Sequence, residues 1–184
     1  NLQNIPIRTE QGRKIRSLFI PGEGYDYIVS GDYSQIELRL LAHLSQDPTM
    51  IDGFKKGQDI HRRTASEVFG IPLDEVTSEQ RSHAKAVNFG IIYGISDFGL
   101  ARNISISRKQ AKEYIESYFA RYSCVHGYME KLVAEARESG MTHTMFGRIR
   151  ALPEINSKNF TRRSFAERTA MNTPIQGRDR KSVV

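Results

Sequence analysis

The segment from Arg81 to Gly94 constrains the chain most, because two cations and two aromatic rings recur in it at intervals of four residues. These side chains are Arg81, Lys85, Phe89 and Tyr93. On an α-helix, which rises about 1.5 Å per residue, they form a single stripe about 18 Å long. The cations lie toward the helix N-terminus, where the helix dipole favours anions. The stripe therefore fits an extended nucleoside triphosphate, with its phosphates at the cationic end and its sugar and base at the aromatic end.

The residues around the stripe predict that it does lie on a helix. Thr77 and Gln80 have the spacing of an N-terminal capping box. The opposite, apolar face consists of Ala84, Val87, Ile91 and Ile92. Gly90 costs about 1 kcal/mol relative to alanine inside a helix, so we expect that it permits a close approach or a pivot. Helical spacing alone also fits an ordinary amphipathic helix with a basic, solvated edge.

The full fourteen-residue pattern resembles the nucleotide-binding helix in the fingers of family A DNA polymerases, the bacterial DNA polymerase I type. Two further segments match the same family in the expected order. Gly31-Asp32-Tyr33-Ser34-Gln35-Ile36-Glu37-Leu38-Arg39 resembles its palm motif, and Arg168 to Gly177 resembles its primer-template contact helix. The opening residues, Asn1 to Arg8, are also similar to the family, so the resemblance covers Asn1 to Gly177. It implies a DNA-directed DNA polymerase whose partners are primer-template DNA and deoxynucleoside triphosphates.

Composition agrees with this resemblance and excludes other classes. The 184 residues are 39% hydrophobic and 26% charged, as in a soluble globular domain, and the net charge of +6 favours a polyanionic partner. Cys124 is the only cysteine, which excludes an internal disulfide and a zinc-finger thiolate site. Apolar runs stay far below the ~20 residues that a bilayer requires, and no signal-peptide pattern is present. We expect a cytoplasmic monomer that the resemblance places with the bacterial nucleoid, away from membranes.

The rest of the chain predicts a mostly helical α+β fold. Residues 15–30 read as two short strands around a turn at Pro21 to Gly24, and the second strand leads to Asp32. Helices are predicted over residues 36–44, 111–119, 125–136 and about 159–177, the first ended by Asp47-Pro48, the third by Gly140 and the last kinked at Pro174. A hairpin is predicted over residues 142–152.

The resemblance implies a right-hand polymerase fold, of which this chain contains the fingers subdomain and part of the palm. We assign palm strands and the acidic motif to residues 1–45, the fingers to 46–140, and the hairpin and primer-template helix to 141–177. Residues 178–184 depart from the family pattern, and we expect them to be a non-native tail.

The resemblance also implies a magnesium centre at Asp32. Nucleotidyl transfer in the family uses two Mg²⁺ ions, which favour hard carboxylate oxygens. Without the motif, an aspartate that caps the following helix is the simpler interpretation. The family's second catalytic acidic motif does not occur in this sequence, and we therefore expect the chain alone to be inactive.

For the nucleotide, the resemblance implies contacts of Arg81 and Lys85 with the triphosphate, and Lys85 is suited to protonate the leaving pyrophosphate. Phe89 would lie along the sugar and Tyr93 near the template base. Glu37 would meet Tyr93 beneath the sugar and leave no room for a 2′-hydroxyl. The resemblance also implies nucleotide contacts of Gln35 and His61, although His61 fits an ordinary position in the first turn of a helix equally well.

For the DNA, the resemblance points to donors on the last helix and near the start of the chain. Arg168, Asn172 and Gln176 repeat every four residues and suit the acceptors of the minor groove, which differ little among base pairs. Gln3, Asn4 and Arg8 are candidate contacts to the DNA backbone.

Two alternatives stay open. Single-subunit phage-type RNA polymerases share the Arg-xxx-Lys-xxxxxxx-Tyr-Gly pattern, but Glu37 argues against them because an RNA polymerase must admit the 2′-hydroxyl. A basic helical module that binds nucleic acid without catalysis is the other, and Asp32 argues against it, since a mere binder needs no magnesium carboxylate.

Overall fold

The computed structural model describes residues 9–29 and 33–177, and most of these residues are helical. The chain divides into two units, Asn1–Ser34 and Gln35–Val184. Residues 1–8, 30–32 and 178–184 lie outside the described part, and with them Gln3, Asn4, Arg8, Asp32 and the expected tail.

The first unit contains a helix where the sequence predicted a strand. Helix α1 spans Glu10–Ser17, and the side chain of Thr9 caps it by accepting a hydrogen bond from the Gly12 N–H at 3.1 Å. Residues 18–29 include a turn and no strand. The two strands predicted over residues 15–30 were therefore wrong for the described residues. A β-strand needs a partner for its backbone groups, and this described segment instead makes a local bond from the Tyr25 N–H to the Gly22 carbonyl.

The second unit is built from eight helices and a hairpin among its described residues. They are α2 Ile36–Ser45, α3 Pro48–Lys55, α4 Ile60–Phe69, α5 Ser78–Ile92, α6 Asp97–Ile104, α7 Arg108–Arg121, α8 Ser123–Ser139, β1 Met141–His143, β2 Ile149–Ala151 and α9 Phe160–Gln176. The helices predicted over 36–44, 111–119, 125–136 and 159–177 are thus confirmed. The hairpin is confirmed too, with antiparallel pairs Met141↔Ala151, Thr142↔Arg150 and His143↔Ile149.

Helix boundaries follow the predicted capping signals. The Asp47 side chain accepts from the Met50 N–H and begins α3, just after α2 has ended. Thr77 and Gln80 form the reciprocal capping box that begins α5. Gly140 ends α8 in a left-handed conformation with φ of +71°. Helix α9 continues past Pro174 to Gln176.

One main hydrophobic core holds the helices of this unit together. Its fully buried side chains come from all eight described helices of this unit or their caps and include Leu38, Leu41, Met50, Ile60, Ile92, Leu100, Tyr118, Tyr122, Val125 and Ile175. The apolar face predicted for α5 is confirmed, because Ala84, Val87, Ile91 and Ile92 are all buried. A smaller cluster joins α8 and α9 to the segment after the hairpin through Ala136, Leu152, Ile155, Ala166 and Ala170. Burying one large aliphatic side chain contributes roughly 1.5–3 kcal/mol, so these contacts dominate the stability of the unit.

Candidate nucleotide and DNA site

Helix α5 presents the predicted stripe on the side away from its buried face. Lys85 and Tyr93 are exposed, Arg81 and Phe89 are half-buried, and Tyr93 is the C-terminal cap of the helix. The Lys85 ammonium lies 6.0 Å from the centre of the Phe89 ring, at the limit of a cation–π contact. The order along the helix is therefore cationic at its N-terminal half and aromatic toward its C-terminal end.

The close approach expected at Gly90 is made by a residue of the same chain. A Cβ atom added at Gly90 would lie 2.6 Å from Cγ2 of Ile95, which is shorter than a real Cβ contact. The chain turns back at this point, since the Ile95 N–H donates to the Gly90 carbonyl at 2.8 Å. Gly90 thus permits the tight connection between α5 and α6.

An ion pair joins the cationic end of the stripe to the start of α4. The Arg81 Nε donates to Oδ2 of Asp59 at 2.7 Å, while Oδ1 of Asp59 accepts from the backbone N–H groups of His61 and Arg62. Burial alone would raise the pKa of Asp59, but the Arg81 guanidinium and the Arg62 N–H outweigh it and lower that pKa. No role was predicted for Asp59 from the sequence, although an aspartate directly before a helix is a common N-cap.

His61 is buried beside the stripe, with only 3% of its surface exposed. Its ring lies 5.7 Å from the Phe89 ring. Burial lowers the pKa of His61 from 6.5 to about 4, with the nearby cations Arg81 and Lys85 adding to this and Asp59 opposing it. The imidazole is therefore neutral near pH 7.

A buried polar cluster connects His61 to the core side of α5. The Asn88 Nδ2 lies 3.1 Å from Nδ1 of His61 and donates to the Thr64 hydroxyl at 3.1 Å, and that hydroxyl lies 3.4 Å from the Tyr122 hydroxyl. Asn88 and Thr64 are fully buried. This cluster was not predicted from the sequence. Its available signal was a polar residue, Asn88, four residues from both Ala84 and Ile92 on the apolar face.

At the aromatic end, the Tyr93 hydroxyl donates to Oε2 of Glu37 at 3.0 Å. The structure thus contains the contact that the resemblance implied between these two side chains. Gln35, just before α2, has a left-handed backbone with φ of +53° and makes no side-chain cap. Such a conformation costs a non-glycine residue on the order of 1 kcal/mol and is concentrated at functional sites.

Helix α9 reaches the same end of α5. A cavity of about 530 Å³ is lined by Phe89 and Tyr93 of the stripe, by Arg168 of α9 and by the residues Ala86, Gly90, Gly94, Ile95, Ser96 and Asn103. The structure thus brings one predicted DNA contact, Arg168, to the predicted nucleotide stripe. Farther along α9, Gln176 is exposed, whereas Asn172 has a buried Oδ1 without a hydrogen-bond partner in the part of the chain described here.

The magnesium centre cannot be built from the described residues. Among residues 9–29 and 33–177, no group of three or more histidine, cysteine, aspartate or glutamate side chains is arranged to hold a metal ion. Asp32 lies outside this part of the chain. Across these same ranges, every helix is too short or too polar to cross a bilayer.

Comparison with known proteins identifies the class. The sequence model of a family described as DNA polymerase family A matches residues 1–180, and the chain therefore belongs to this family. Its fold is similar to that of the polymerase domain of Pol1 from M. smegmatis in complex with DNA primer-template and dNTP. The TM-score is 0.88 at 49% identity, over 96% of this chain and 31% of that one.

Curated relatives narrow the similarity to a particular kind of polymerase. The chain is 59% identical over 178 residues to DNA polymerase I of Lactococcus lactis subsp. cremoris and 56% identical over 177 residues to DNA polymerase I of Geobacillus stearothermophilus. These matches include 96% of this chain but only 20% of each relative. The chain thus spans about a fifth of the length of these relatives.

Proposed function

We propose that this chain is part of a DNA polymerase that adds deoxynucleotides to a primer 3′ end as a template directs, in DNA replication and repair. The observation that carries the proposal is the stripe of α5, which leads from Arg81 and Lys85 to Tyr93 and ends at the hydrogen bond between Tyr93 and Glu37. Such an enzyme acts where the chromosome is, and we place it as a monomer with the bacterial nucleoid.

The cationic end of the stripe binds the triphosphate in this proposal. Lys85 is exposed, and its ammonium can contact phosphate oxygens directly and donate a proton to the leaving pyrophosphate. Arg81 reaches the same region from the next turn, where its pair with Asp59 holds the guanidinium at the junction of α4 and α5. His61 adds an uncharged donor from α4, since its pKa of about 4 keeps the ring neutral.

The aromatic end receives the sugar and the base. Phe89 lies along the sugar, and Tyr93 offers a flat ring that stacks on any base. The carboxylate of Glu37, held by the Tyr93 hydroxyl at 3.0 Å, fills the space that a 2′-hydroxyl would need. Gln35 supports the nucleotide from the strained turn before α2.

Primer-template DNA binds along α9 in this proposal. Arg168 lines the cavity next to Phe89 and Tyr93, and Asn172 and Gln176 follow at four-residue intervals. Their donors suit the acceptors that all base pairs share in the minor groove, which checks pair geometry without reading sequence. Gln3, Asn4 and Arg8 add backbone contacts.

Magnesium completes the reaction in the full-length enzyme. Bound Mg²⁺ would supply the charge that activates the primer hydroxyl and stabilises the departing pyrophosphate. Asp32 is our candidate for one carboxylate ligand, on the strength of its motif. Residues 9–29 and 33–177 include no group of side chains arranged for a metal ion. In this proposal other parts of the polymerase provide the remaining ligands, and the 184-residue chain alone does not extend a primer.

The Tyr93–Glu37 hydrogen bond favours a DNA polymerase over its closest alternative, an RNA polymerase of the single-subunit phage type. An immobilised carboxylate beneath the sugar hinders ribonucleotides, which an RNA polymerase must use. A binding module without catalysis would not need this contact at all.

Residues 1–177 placed in DNA polymerase I of Geobacillus stearothermophilus, in place of the matching segment, provide the test. We expect this chimera to extend a primer with deoxynucleotides in the presence of Mg²⁺, and Asp32→Ala to abolish extension while the protein stays folded. The isolated chain should incorporate nothing above background. Incorporation by the isolated chain, or equal use of ribonucleotides by the chimera, would contradict the proposal.

A further inference from the structure

The positions of the Asn88 side-chain atoms determine which groups of the buried cluster donate hydrogen bonds and which accept them. The Asn88 Nδ2 lies 3.1 Å from both the His61 Nδ1 and the Thr64 Oγ1, and the Asn88 Oδ1 accepts from the Thr64 hydroxyl at 3.2 Å. A side-chain amide has two N–H donors, and in this arrangement each of them has an acceptor. The His61 Nδ1 accepts one of these bonds, so in the neutral ring it carries no proton.

Reversing the amide would leave the cluster worse satisfied. Oδ1 would then face His61, while Nδ2 would retain the Thr64 oxygen as its acceptor within this cluster and would lack one for its second N–H. A buried N–H without a partner is destabilising, because it has lost its hydrogen bond to water and gained none in return. Asn88 and Thr64 are both fully buried, so water is not available to replace the missing partner.

We propose that Asn88 is a positioning residue for His61: its amide fixes the imidazole in the tautomer that carries its proton on Nε2. Thr64 holds the amide from the other side, and Tyr122 lies behind Thr64. In this tautomer the ring is a donor at Nε2 and cannot accept there. The Nε2–H would donate a hydrogen bond to an oxygen of the triphosphate, and this step rests on the function proposed above.

The charges around His61 are consistent with a neutral ring. Asp59 at the start of α4 and Arg81 and Lys85 on α5 are the charged groups that act on it, and the two cations oppose its protonation. Burial has the largest effect and, together with them, lowers the pKa of His61 to about 4. An uncharged donor keeps its hydrogen bond unchanged across neutral pH, whereas an ordinary histidine would gain and lose a charge there.

The tautomer can be read directly by NMR in the 184-residue chain labelled with ¹⁵N-histidine. A protonated and an unprotonated ring nitrogen have well-separated ¹⁵N shifts, and the His61→Gln variant identifies the His61 signals by their loss. We expect an unprotonated Nδ1 and a protonated Nε2 at pH 7. A proton on Nδ1 of the wild-type chain would overturn the inference whatever any variant does.

Asn88→Asp reverses the bond with nearly no change in shape, because a carboxylate can only accept. We expect the proton of His61 to move to Nδ1 and its pKa to rise. Asn156→Asp is the matched control, since it adds the same charge at an exposed position where Asn156 bonds the Arg137 carbonyl instead of a histidine. An unchanged His61 tautomer in a folded Asn88→Asp chain would overturn the inference.

A kinetic measurement on the chimera separates this inference from the proposed function. There Asn88→Asp should raise the KM for deoxynucleotides several-fold more than Asn156→Asp does, because the ring no longer donates from Nε2. If the tautomer switches but KM does not change, the role of Asn88 stands and the triphosphate contact of His61 is refuted. If KM rises without a change of tautomer, Asn88 acts on the nucleotide by another route and the inference fails.

Discussion

Replacing Gly94 by alanine tests how tightly the end of α5 packs against α9. Gly94 has a left-handed backbone with φ of +63°, and a Cβ atom there would lie 2.6 Å from Cε of Met171 and 2.8 Å from Cγ of Arg168. Two separate penalties follow. The left-handed conformation costs an alanine roughly 1–2 kcal/mol, and forcing extra volume into a packed contact costs about 1–3 kcal/mol.

Gly57 provides a control for the first penalty alone. It has the same φ of +63°, but an added Cβ would meet no atom within 4 Å. Gly57→Ala should therefore lower the free energy of unfolding by about 1–2 kcal/mol, and Gly94→Ala by about 2–5 kcal/mol. Met171 can move the end of its side chain away, whereas Arg168 must change its rotamer near the backbone. Gly94→Ala should therefore also displace the Arg168 guanidinium.

Urea denaturation followed by circular dichroism measures both variants, with unchanged m-values as the check that they unfold alike. The displaced Arg168 adds a second readout, because Gly94→Ala in the chimera should weaken primer-template binding and Gly57→Ala should not. Equal losses of stability in the two variants would refute the packing argument and leave only backbone strain.

Three further outcomes are expected. Because burial holds the pKa of His61 at about 4, below its ordinary 6.5, the unfolded chain takes up the proton first, and stability falls as the pH drops through that window. Between pH 7 and pH 5 the protonation of His61 in the unfolded chain should lower the free energy of unfolding by about 2 kcal/mol, as measured by urea denaturation. His61→Gln should abolish this contribution to the pH dependence. In the chimera, Glu37→Ala should increase the ratio of kcat/KM for ribonucleotides to that for deoxynucleotides, with a smaller increase in Tyr93→Phe; an unchanged ratio in both excludes the sugar gate. Lys85→Ala in the chimera should lower kcat more than DNA affinity, and parallel losses would make Lys85 an anchor for the DNA backbone.

Signals within a few residues predicted most of the helices and their ends. The capping box at Thr77 and Gln80, the glycine after α8 and the turn of the hairpin each specify backbone geometry through neighbouring atoms. Such bonds form within one turn of chain, and so their pattern is visible in the sequence. The stripe of α5 was predictable for the same reason, because helical spacing alone defines it.

What the sequence did not reveal depends on partners far along the chain. Asp59 pairs with Arg81, 22 positions away, and Thr64 bonds Asn88, 24 positions away. Neither pair follows a spacing rule, since tertiary packing alone brings α4 beside α5. The strands predicted over residues 15–30 were wrong for a related reason: alternation describes a strand, but only a partner strand stabilises one.

The bonds of Asn88 also affect how α5 can move. Asn88 lies in the middle of α5, whereas His61 and Thr64 lie on α4, so the amide fastens the two helices at a point away from their connecting loop. Sliding or rotating α5 against α4 would break buried hydrogen bonds that contribute about 1 kcal/mol each and leave their groups without water. A motion of α5 that keeps these buried bonds intact therefore moves α4 with it, so that the two helices behave as one rigid body.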